Sequence, residues 1–91
     1  MDYDKLLTEI KARQLITGSF HDAALRGLIE DAVAFIAAFG VDPIIIEKNP
    51  GAVNMVVEAF RGQAPGERKI DDYTRQYLIS LSYQRPIEEG V

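Results

Sequence analysis

The sequence predicts an all-α fold: a compact bundle of four main helices with a short extra turn and an extended C-terminal tail. Three observations carry this prediction. Apolar residues recur at helical spacing along one face in four separate segments. Each segment opens on a residue able to cap a helix (Asp2, Ser19, Asn49, Asp71) and closes on a breaker (Gly18, Gly40, Gly62, Pro86). The chain has 91 residues, 47% of them hydrophobic and 26% charged, which fits one globular domain and argues against disorder.

The first helix is expected from Tyr3 to about Ile16, with Asp2 as cap and Tyr3, Leu6, Leu7 and Ile10 on its apolar face. Ser19 and Asp22 resemble a capping box at the start of the second helix. Its apolar face is Leu25, Leu28, Ile29, Ala32, Phe35, Ile36 and Phe39, and Gly40 suits a left-handed C-terminal cap. Leu28 and Phe35 are expected in the core. Asp22, Arg26 and Glu30 form a polar stripe that then stops, so the stretch from Ala32 to Phe39 is apolar all round.

Asp42-Pro43 reads as a cap followed by proline at the first helical position. It opens either one short turn through Ile44, Ile45 and Ile46 or an extended segment, since β-branched residues suit both. Asn49-Pro50 repeats the signal and starts the third main helix, which runs through Ala52, Val53, Met55, Val56 and Val57 to Phe60. Gln63 to Lys69 is a loop with Glu67-Arg68-Lys69 as a solvated tip. Asp71 or Asp72 caps the last helix, whose face is Tyr73, Tyr77, Leu78 and Leu81, with Asp71 and Arg75 spaced as an ion pair. Residues 1–85 thus form one domain. Residues 86–91 form a tail, because Pro86 cannot continue a helix.

The net charge of −4 disfavours gripping a phosphate backbone, which needs a basic patch. The absence of cysteine removes disulfides and thiolate chemistry and fits a reducing compartment. Met1-Asp2-Tyr3-Asp4 is acidic where a secretory signal would be basic. The uncharged stretch Ala32–Val41 is far shorter than the ~20 residues of a membrane span.

Catalytic chemistry finds little support. His21 is the sole histidine and has no evident nucleophile to serve. The adjacent acids Glu30-Asp31, Asp71-Asp72 and Glu88-Glu89 point about 100° apart on a helix, unlike a catalytic carboxylate pair. No metal-ligand spacing is present, and Gly62-Gln63-Ala64-Pro65-Gly66 lacks the ending of a phosphate loop. The serines Ser19, Ser80 and Ser82 do not fit the Asp-Ser-Leu motif that carries the cofactor of acyl carrier proteins. The expectation is a non-enzymatic, cofactor-free protein that binds other proteins. A helix end apolar on every side must be surrounded, either by the chain's own core or by a subunit interface.

The order of features resembles the head–tail connector (head-completion, or adaptor) proteins of long-tailed bacteriophages. The resemblance lies in a short first helix and a capped helix with Asp22, Leu25, Leu28-Ile29, Ala32, Phe35-Ile36 and Phe39. A proline-led helix from Pro50 to Phe60, a glycine-containing loop and a leucine-rich last helix at Tyr77-Leu78-Ile79-Ser80-Leu81 complete it. It covers nearly the whole chain and rests on apolar spacing and caps rather than on polar signature residues. Two departures, Phe60-Arg61-Gly62 after the third main helix and the late Arg85, bear on ring contacts more than on fold.

The resemblance implies a homo-oligomeric ring of about twelve copies between the portal and a downstream tail or stopper protein. DNA would pass through without sequence-specific binding, and no membrane is involved. The implied setting is the virion, with the host cytoplasm during assembly. Phe35, Ile36, Phe39 and Ile45 are the expected subunit interface. Tyr83, Arg85 and Ile87 are the expected portal-docking residues, and Arg68 and Lys69 form a loop facing the tail side or the DNA. The alternative is a small acidic helical regulator that binds a basic protein partner.

Overall fold

A computed structural model describes residues 1–86 of the chain. Five α-helices follow one another: α1 (Tyr3–Arg13), α2 (Asp22–Ala37), α3 (Pro43–Lys48), α4 (Pro50–Phe60) and α5 (Asp72–Ser82), with a 3-10 turn at Pro65–Glu67. Among the described residues there is no strand. The fold is therefore the expected bundle of four longer helices, and the isoleucine triplet supplies the short extra helix. Ile87 and the rest of the tail lie outside the described residues.

The core sits between α2 and α4, flanked by α1 and α3 and overlaid by α5, which packs chiefly on α4. Ile29, Ala32 and Ile36 of α2 and Val53, Val56 and Val57 of α4 are fully buried. They are joined by Ile10 from α1, Ile46 from α3, and Leu78 and Leu81 from α5. Aliphatic side chains at helical spacing are removed from water on one face of each element, which is the main force holding so small a domain together.

The caps explain the boundaries. Asp2 accepts the Lys5 N–H at 3.0 Å, and Asp42 accepts the Ile44 N–H at 2.9 Å. The Asp42 cap and Pro43 make the isoleucine run helical, burying Ile45 and Ile46 and leaving Ile44 outward. Asn49 does not cap α4 with its side chain. Its amide donates instead to the Ile45 carbonyl at 2.7 Å and closes α3. The expected Ser19 capping box is absent. His21 holds the cap position of α2 without a side-chain bond, and Asp22 is drawn away to Lys11 at 2.8 Å.

The first helix stops three residues before Ile16. The Ile16 N–H reaches back to the Lys11 carbonyl at 2.9 Å, and Leu15 between them takes the left-handed backbone, φ 56°. This is the closure that glycine usually provides. Gly40 (φ 89°) provides it after α2, where Val41 then turns into the core.

In α5 the expected ion pair from Asp71 to Arg75 does not form. Asp71 is a cap instead, accepting the Thr74 N–H at 2.8 Å. Thr74 is buried while Tyr73 faces solvent, one position off the expected face. Hydrogen bonding from Thr74, its side chain first and then its backbone, holds the Asp71 carboxyl below its usual range. A carboxylate with a depressed folded-state pKa stabilises the fold above its unfolded pKa and loses that contribution as pH falls through the folded value. Asp71→Ala should therefore lower the thermal midpoint at neutral pH. The gap to the wild type should narrow below about pH 4, as a pH series of melting curves would record.

Candidate interaction surfaces

Two regions of the surface combine aromatic or aliphatic side chains with a groove. The first is an aromatic ladder on α2, α4 and the loop before α5. Phe39 leans on Phe35 (5.5 Å between ring centroids), and Phe35 meets Phe60 edge to face at 5.1 Å. The Arg68 guanidinium lies over Phe60 at 4.9 Å and bonds Asp31 at 2.5 Å. An open groove of about 570 Å³ runs past Asp31, Ala34, Phe35, Pro65 and Arg68.

This arrangement corrects several expectations. Ile36 is 0% exposed and Ile45 5%, so both belong to the chain's own core and cannot form a subunit interface. Phe35 is half-buried rather than buried, and so is Leu28. The apolar end of α2 resolves into a buried side (Ala32, Val33, Ile36) and an exposed side made of Ala34, Ala37 and Ala38. Being apolar all round therefore creates no large exposed hydrophobe here, because the outward positions carry only methyl groups.

Arg68 is not part of a solvated tip. Its side chain is 16% exposed, held by the Phe60 ring and the Asp31 carboxylate. Its Nε has no partner, although the nitrogen is buried. The loop is closed by Gln63, which accepts the Lys69 N–H at 2.8 Å and donates to the Lys69 carbonyl at 2.9 Å. Lys69 itself faces solvent. Of the expected portal-docking residues, Tyr83 is 78% exposed at the end of α5. Arg85 donates to the Ser82 and Gln84 carbonyls at 3.1 Å, which caps the helix end. Ile87 is outside the described residues.

The second region, the loop between α1 and α2, was not singled out by the sequence. Leu15 is 89% exposed and Phe20 92% exposed. Among the described residues, the one ring that Phe20 meets is that of His21, edge to face at 4.7 Å. The loop is not slack. Lys11 Nζ bonds both the Gly18 carbonyl (2.5 Å) and Asp22 (2.8 Å), and Ile16 packs inward on the core. Beside the loop lies an apolar groove of about 270 Å³ formed by Ile16, Ala24, Leu25 and Leu28, with Asp22 and Arg61 at its rim. The sequence did carry a signal: neither Leu15 nor Phe20 falls on an apolar helix face.

Leu15 is unfavourable on two counts, its backbone region and its exposure. A non-glycine residue in the left-handed region costs on the order of 1 kcal/mol. Leu15→Gly removes that strain and almost no buried surface. It should raise stability by about 0.5 kcal/mol once the greater freedom of glycine in the unfolded chain is counted. Urea unfolding would show it, and a lowered midpoint would mean that the leucine makes compensating contacts.

No described helix is long and apolar enough to cross a membrane, and no cluster of three or more metal-ligating side chains occurs among the described residues. Comparison with family models, with curated proteins and with solved structures gives no match to this chain.

Proposed function

We propose that the chain is a head–tail connector of a long-tailed bacteriophage, forming a ring beneath the portal that extends the DNA channel and docks the next tail component. The observation that carries this reading is the helix series behind the resemblance. Leu25, Ile29, Ala32 and Ile36 form the buried face of α2, against a proline-led helix from Pro50 to Phe60. Of the residues that suggested the family, these four lie in the core, while Leu28, Phe35 and Phe39 are half-buried at its edge.

In this reading the ring contact lies on the exposed side of α2, where Phe35 and Phe39 border the small residues Ala34, Ala37 and Ala38. Small side chains allow a neighbouring backbone to approach closely. Head-to-tail contacts of this kind close into a ring when the rotation between copies permits. Tyr83, exposed at the end of α5, is the apolar anchor toward the portal. The net charge of −4 suits a channel wall that DNA passes without adhering.

The test is to incubate the purified chain with portal rings of the phage that encodes it and to image the product. Rings decorated by the wild type, and bare after Tyr83→Ser, are the expected result. A chain that leaves portal rings bare and captures a basic protein instead would favour the regulator reading.

A further inference from the structure

We propose that the α1–α2 loop pairs two copies of this chain about a two-fold axis, with Phe20 of each copy entering the groove of the other. The proposal does not rest on the connector reading and uses other residues.

Phe20 and Leu15 are the most exposed of the large hydrophobic side chains, and they sit five positions apart on a loop that Lys11 holds in place. A held loop gives up little freedom on docking, which favours association. Phe20 leaves the groove beside it empty, since its ring stands 92% exposed while His21, the next residue, lines that groove. A second copy brings a side chain of suitable shape and chemistry to that groove, because it carries the same exposed Phe20. Knob and groove adjoin, so a single two-fold axis beside the loop satisfies both at once, as isologous contacts require.

The rim charges suit an apolar guest. Asp22 is paired with Lys11 at 2.8 Å, and Arg61 is bound by Gln14 at 2.7 Å and lies 3.6 Å from Glu58. Closing the groove strands no unpaired charge, the usual penalty for burying such a rim. Four large side chains and the walls they cover amount to on the order of 1,000 Å² of buried surface. That is the low end of specific interfaces and fits a reversible, concentration-dependent pair. Both copies carry a net charge of −4, so added salt screens their repulsion and tightens the pair. A contact held by opposite charges would loosen instead.

Sedimentation velocity on the full chain, over a concentration and salt series, tests this with two variants. Phe20→Ser removes the knob. Ala24→Glu, at an exposed position on the groove wall, blocks the hole. Neither touches the core, and melting curves confirm that both fold. The expected result is a monomer–dimer equilibrium in the wild type that tightens with salt, weakened about tenfold or more in each variant. An equimolar mixture of the two variants should recover part of the association, because the Phe20→Ser groove can still receive Phe20 from the Ala24→Glu copy. The proposal is overturned by a wild type that stays monomeric, by a dimer unchanged in both variants or loosened by salt, or by a larger closed ring that Phe20→Ser abolishes.

Discussion

Ile36→Ala should lower the stability of the protein by about 2–5 kcal/mol, the usual effect of truncating a fully buried aliphatic side chain. Ile36 is 0% exposed, on the face of α2 that meets α4. A domain of this size has only ~5–10 kcal/mol in hand. The thermal midpoint should therefore fall by roughly 10 °C or more, at about 4–8 °C per kcal/mol. Ile36→Val, which removes a single methyl, should cost about 0.5–1.5 kcal/mol and give a graded series. Phe35→Ala, at a half-buried position, should lie below the upper end of the Ile36→Ala range. If Ile36→Ala melts with the wild type, α2 is rotated from the orientation described here.

The second large effect is at Arg68. Were it a solvated residue, replacement would shift stability by no more than ~0.5 kcal/mol. Its position over Phe60 and beside Asp31 predicts more. A largely covered cation–π contact contributes about 1–2 kcal/mol. The Asp31 pair adds less than ~1 kcal/mol, because the aspartate side is half exposed and screened by solvent. The unpartnered Nε offsets part of the gain. Arg68→Ala should thus cost about 1–2 kcal/mol. Arg68→Lys should recover little of it, because an ammonium keeps the charge but not the planar stacking surface. A double-mutant cycle with Asp31→Ala separates stacking from charge. A stability change confined to the Asp31-dependent part would remove Phe60 from the account.

The helical class and the caps at Asp2 and Asp42 were legible in the sequence because each depends on residues within one turn. The isoleucine triplet stayed open between a short turn and an extended segment, and the last cap between Asp71 and Asp72, until packing on the core decided them. The end of α1 was less so. Leu15 in a glycine-type closure is a backbone choice that no local propensity announces, and it cut the helix short of Ile16. The division of an apolar helix end into a core side and a methyl side also escaped. Ala32, Ala34, Ala37 and Ala38 are chemically alike, and only the packing of α4 decides which of them is covered. Arg68 escaped for a related reason: in sequence it adjoins Glu67 and Lys69, while in space its neighbours are Phe60 and Asp31. Phe20 stood out only by lying off every helix face, a signal that reads first as noise.

The peripheral seat of α5 has a consequence in time. It buries Thr74, Leu78 and Leu81, and it packs chiefly on one other helix, whereas α2 and α4 are enclosed from several sides. Free energies of opening follow such differences in enclosure. Amide protons of α5 should therefore exchange with solvent through a partial opening that leaves α2 and α4 closed. During those excursions the side of α4 that Leu78 and Leu81 normally cover is briefly presented to water. Hydrogen exchange should thus resolve two levels of cooperativity, a durable centre of α2 and α4 and an α5 that opens ahead of it.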